Sequence, residues 1–72
     1  MITVNGKKKD LEKPMTVTEY LNENSYVPAT VAIELNEEIL ERELYGKTIL
    51  KEGDIMEIVQ FMGGGSGLKE EN

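Results

Sequence analysis

The chain has 72 residues, of which 14 are acidic and 8 basic, giving a formal net charge of -6, and it contains neither cysteine nor histidine. That length supports one small domain with a marginal core, and the composition excludes a disulfide framework, a thiolate zinc site and any enzyme built on a nucleophile and a histidine. The acidic balance disfavours nucleic acid and anionic lipid and favours a partner with a basic surface.

The first residues, Met1-Ile2-Thr3-Val4, are too short and uncharged for a signal peptide, and no apolar run approaches the roughly 18 residues that span a bilayer. A cytoplasmic location, away from membranes, is therefore expected. Ile2-Thr3-Val4 alternates apolar and polar residues and runs into Asn5-Gly6, the strongest two-residue hairpin signal, so Lys7 to Leu11 is predicted to return as a second strand. Lys7-Lys8-Lys9 on an early, exposed strand reads as edge protection and solubility rather than as an anion site.

Pro14 closes this segment, and Thr16-Val17-Thr18-Glu19 has the pattern of a capping box. A helix of about two turns is predicted to follow and to end near Asn24-Ser25. Val17, Tyr20 and Leu21 fall at i, i+3 and i+4 and form an apolar stripe that must be buried, most simply against a sheet. Thr30 to Leu35 is β-branched and alternating, with Val31, Ile33 and Leu35 on one face and Thr30, Ala32 and Glu34 on the other, which predicts a strand.

Asn36-Glu37-Glu38 reads as a turn, and Ile39 to Tyr45 fits either a short strand or a helical turn ended by Gly46. Glu37, Glu38, Glu41 and Glu43 read as a solvated acidic surface, since nothing apolar surrounds them that would shift a pKa or build a metal cage. Lys51-Glu52-Gly53-Asp54 is a reverse turn, and Ile55 to Met62 is the most hydrophobic stretch. It places Met56 and Ile58 on one face and Ile55, Val59 and Phe61 on the other, which predicts a central strand covered on both sides. Gly63-Gly64-Gly65 follows directly, and then Ser66 to Asn72.

Asn5-Gly6 after the first strand, the strand Val31 to Asn36, the turn Glu52-Gly53-Asp54 and the run Ile55 to Met62 leading into Gly63-Gly64-Gly65 resemble, in order and spacing, the ThiS-type sulfur carriers of the ubiquitin-like (β-grasp) superfamily. The resemblance covers residues 1 to 65. It implies an α+β fold in which a mixed four- to five-stranded sheet packs on one main helix. Residues 1–62 would form the β-grasp domain, 63–65 a flexible glycine tail, and 66–72 a disordered C-terminal extension.

It also implies a carrier that enzymes act on rather than an enzyme. In such carriers the C-terminal glycine is adenylated with ATP by an E1-like adenylyltransferase (ThiF-type). It then receives sulfur from a donor as a thiocarboxylate, and yields that sulfur to a thiazole synthase (ThiG-type) in thiamine biosynthesis. On this chain Gly65 would be the attachment point, with Gly64 the alternative, and Gly63 and Gly64 would thread the channel of the enzyme. Glycine suits that passage because it has no Cβ to clash and reaches φ values closed to other residues. ATP and Mg²⁺ would belong to the activating partner, because the chain has neither a phosphate-cradling loop before a helix nor a plausible metal cluster.

Val59, Phe61 and Met62 are expected to dock the partner. Within the same chemistry the alternatives are the small subunit of molybdopterin synthase and the carriers of tRNA thiolation. An alternative of another class is a ubiquitin-like module that binds without covalent chemistry. The carriers end at their glycines, whereas seven residues follow here, and an amide carbonyl at Gly65 offers no carboxylate to ATP. The extension reads either as a pro-segment that a protease removes after Gly65, or after Gly64, or as an addition foreign to the protein, since Gly-Gly-Gly-Ser-Gly resembles a designed linker.

Overall fold

Two left-handed residues make the first reversal: Asn5 (φ 51°) and Gly6 (φ 83°) supply the positive φ angles of a tight hairpin between β1 (Ile2–Val4) and β2 (Lys7–Lys9). The computed structural model describes residues 1–61 of the chain. The expectations placed on Met62, on Gly63, Gly64 and Gly65, and on residues 66–72 therefore lie outside the described residues. β2 is shorter than the predicted Lys7 to Leu11, and its three lysines are exposed on an edge strand, as the edge-protection reading requires.

A two-residue strand, β3 (Met15–Thr16), leads into α1 (Val17–Glu23). The capping box is formed: the Glu19 amide donates to Thr16 Oγ1 (3.1 Å) and the Thr16 amide to Glu19 Oε1 (2.8 Å). Two further amides of the first turn are met by the later chain, Val17 N–H by Thr48 O (3.0 Å) and Thr18 N–H by Tyr45 O (3.1 Å). At the other end Ser25 takes φ 67°, and Tyr26 N–H bonds Leu21 O (2.9 Å) while Ser25 N–H bonds Asn22 O (3.3 Å), the paired bonds of a Schellman cap. The predicted stripe is buried: Val17, Tyr20 and Leu21 all enter the core. Burial raises the pKa of the Tyr20 hydroxyl above its ordinary 10.0, and neighbouring Tyr26 adds to the shift.

β4 (Val31–Leu35) follows a 3₁₀ turn at Pro28–Thr30, and β5 (Glu38–Leu40) returns from it through Asn36 (φ 53°) and Glu37 (φ 72°). The ambiguous stretch is both things in turn, since a second 3₁₀ turn at Arg42–Leu44 follows β5. β6 (Ile49–Leu50) pairs antiparallel with β3, and β7 (Ile55–Gln60) closes the described chain. The main sheet has the order β2-β1-β7-β4-β5, with β1 and β7 parallel and every other pair antiparallel. This mixed five-stranded sheet packed on one helix is the predicted α+β, β-grasp architecture.

The core forms where α1 lies on the sheet: Ile2 and Val4 of β1, Val31 and Ile33 of β4, and Met56 and Ile58 of β7 meet Val17, Tyr20 and Leu21. Tyr45 and Leu50 fill the end of this layer, with Tyr45 Oη donating to Val31 O (3.2 Å). β7 is central, as expected, but the expectation of cover on both faces is not met among the described residues. Ile55, Val59 and Phe61 stand in the open because the one helix packs on a single face of the sheet.

Candidate functional site

β7 ends at Gln60, one residue before the last described position, so the site is built on the strand that leads to the glycines. Its register is set on both sides. Five residue pairs join it to β4, from Leu35 opposite Met56 to Val31 opposite Gln60, and Thr3 and Val4 of β1 pair with Ile55 and Met56. The Phe61 amide donates to Thr30 O (2.8 Å), which carries the ladder one residue past the strand.

Two asparagines extend this grip beyond the backbone. After β1 turns away at Asn5, the Asn5 side chain takes over its pairing with β7. Its Oδ1 accepts from Ile58 N–H (2.7 Å), its Nδ2 donates to Ile58 O (3.3 Å), and its own N–H bonds Met56 O (2.9 Å). At the start of the strand Asn36 does the same: Oδ1 accepts from Ile55 N–H (2.9 Å), its N–H bonds Ile55 O (2.7 Å), and Nδ2 donates to Asp54 Oδ1 (3.0 Å). Asp54 is buried and its second oxygen accepts from Lys51 N–H (2.8 Å), so both oxygens of this carboxylate are engaged in closing the turn before β7.

The face of β7 turned away from α1 is exposed and carries Glu57 among apolar side chains. Ile55 is 51 %, Val59 58 % and Phe61 52 % accessible, and Ile39 on β5, on the far side of β4, is 74 % accessible. Val59 and Phe61 therefore share an open face opposite buried Met56 and Ile58, where the sequence placed them. The position of Met62 lies outside the described residues. Ile39 and Ile55 were not among the sequence-derived docking residues. Strict alternation already put Ile55 on this face, whereas Ile39 was hidden in the segment whose structure was ambiguous.

Glu37, Glu38, Glu41 and Glu43 are all exposed, and no group of three or more metal-ligating side chains is assembled among the described residues. No helix of the described residues is long and apolar enough to cross a membrane. The described side chains leave an exposed face with Ile55, Val59 and Phe61 on the strand that leads to the glycines.

A mixed sheet that grips one helix and has its last strand at the centre defines a ubiquitin-like β-grasp domain. The model of the ThiS family matches residues 2–65, and the chain belongs to that family. Among solved structures, the crystal structure of a thiamine biosynthesis protein (ThiS) from Geobacter metallireducens superposes with a TM-score of 0.74 at 43% identity. It covers 89% of this chain and 97% of that one.

Among sequences, a protein named thiazole synthase from Paramagnetospirillum magneticum is 37% identical over 65 residues, 90% of this chain and 20% of the relative. The uncharacterized protein ycf40 of Pyropia yezoensis is 33% identical over 64 residues and is matched over 90% of its own length. The chain thus spans about a fifth of the thiazole synthase that it matches.

Proposed function

We propose that this chain carries sulfur for the thiazole of thiamine, with the carboxylate of Gly65 as its working group. The observation that carries the reading is the extent of the family match, which runs through the central strand and stops on Gly65. The likeness to a protein described as a thiamine biosynthesis protein and the shared segment in proteins named thiazole synthase support the pathway.

In the proposed cycle a protease first cuts between Gly65 and Ser66, because only a free carboxylate can attack the α-phosphorus of ATP. An E1-like adenylyltransferase holds ATP and Mg²⁺ and forms the acyl-adenylate with release of pyrophosphate. Sulfur from a donor then displaces AMP to leave a thiocarboxylate on Gly65. A thiazole synthase receives that sulfur, and Gly63 and Gly64 give the chain end the slimness to enter both enzymes. All of these steps are placed in the cytoplasm.

The test uses the chain ending at Gly65, which keeps every described residue, together with the E1-like enzyme of its host, ATP and Mg²⁺. Pyrophosphate release is expected from this chain and none from the 72-residue form. No release from the shortened chain would instead favour a module that binds without covalent chemistry. Intact mass of the protein from its own host fixes the cleavage register, and an active pool that retains Ser66 to Asn72 would overturn the processing step.

A further inference from the structure

The open sheet face contains an arrangement that folding alone does not favour. Glu34 of β4 lies directly opposite Glu57 of β7, and both alternate away from the buried positions Ile33, Met56 and Ile58. Antiparallel partners hold their Cβ atoms about 4.5–5.5 Å apart, and like charges at that separation oppose strand pairing. Among the described residues neither glutamate has an ion-pair partner. The pair is framed by apolar groups: Val59 opposite Ala32 one step along, Ile39 beside Glu34 on β5, and Ile55 two residues before Glu57.

We infer that this carboxylate pair receives an arginine side chain of the adenylating enzyme, at the centre of the face that Val59 and Phe61 present to it; the inference rests on the function proposed above. Two carboxylates side by side match the two edges of a guanidinium, whose donors lie in a fixed fork. A guanidinium is also more weakly hydrated than an ammonium, so it suits a position rimmed by Ile39, Ile55 and Val59 better than lysine does. Docking would set one positive charge between the two carboxylates and turn their repulsion into a net attraction, and the net charge of -6 draws the basic surface toward it. The occupant is thus a protein surface with one arginine set among apolar side chains.

The experiment uses the chain ending at Gly65 and reads two quantities: its thermal midpoint, and the KM and kcat for it in pyrophosphate release by the E1-like enzyme of its host. Glu57→Lys places opposite charges across the strands, so the midpoint is expected to rise or hold, while KM rises at least about tenfold, the worth of one charge-assisted hydrogen bond, and kcat is unchanged. The double variant Glu34→Gln with Glu57→Gln is expected to keep or raise the midpoint and to raise KM in the same way.

Glu23→Gln, on the exposed side of α1, removes a charge elsewhere and is expected to leave KM within about twofold, which separates local recognition from general steering. An unchanged KM in both sheet variants overturns the inference while leaving the proposed function intact, and so does a fall in their midpoints. Absence of pyrophosphate release from the unsubstituted chain overturns the proposed function, and this inference with it.

Discussion

At the scale of single residues, the strand that leads to the tail depends on two side chains that act as backbone. Asn5 must hold φ 51° and also present both ends of its amide to Ile58. Alanine fits neither demand. It resists the left-handed region and leaves the Ile58 N–H and C=O without their partners on that side. Asn5→Ala is expected to lower the unfolding free energy by about 2 kcal/mol, read from urea denaturation, with the m-value unchanged. Asn5→Gly, which restores the backbone freedom but not the amide, should recover only part of that loss. The Asn5-Gly6 turn was legible from sequence as a dipeptide signal. The clip onto Ile58 was not, because the two residues are 53 positions apart and no local pattern records a contact at that distance.

At the scale of elements, legibility followed local sufficiency. The helix start was readable because Thr16 and Glu19 satisfy each other within one turn. The central place of β7 was readable because eight residues from Ile55 carry so few charges. β3 and β6 were not readable. Each is two residues long and exists only through the other, with Met15 opposite Leu50 and Thr16 opposite Ile49. Thr16 sits at the junction of both kinds of order, since it caps α1 and pairs in β3. Thr16→Ala removes the hydroxyl that the Glu19 amide needs while keeping the backbone pairing with Ile49. A loss of about 1 kcal/mol is expected, with amide exchange speeding first in Val17 to Leu21 and not in β7. Uniform acceleration across the sheet would show that the cap and the sheet fold as one unit.

At the scale of the whole molecule, the described residues set one α-helix on a five-stranded sheet and leave the other face of that sheet bare among themselves, and the proposed function uses that face. The alternation within β7 makes the division testable on one strand. Met56 is fully buried against the helix layer, whereas Phe61, on the opposite face, is 52 % accessible and is tied to Thr30 only through its backbone amide. Met56→Ala should therefore cost about 2–5 kcal/mol in urea unfolding through the lost packing and the cavity left behind. Phe61→Ala should cost about 1 kcal/mol or less, because its backbone bond survives and the residue is already about half exposed.

Engagement of the adenylating enzyme should rank these positions the other way. Phe61→Ala is expected to weaken it by about 2 kcal/mol, roughly 30-fold in KM, as loss of a central aromatic anchor does. Met56→Ala, in molecules that remain folded, should leave KM nearly unchanged, because its side chain never reaches the partner. If Phe61→Ala unfolded the domain, the ring would belong to the core and the docking face would have to lie elsewhere. If it left both stability and KM untouched, the enzyme would be reading the tail alone, and the apolar character of Ile39, Ile55 and Val59 would need another explanation.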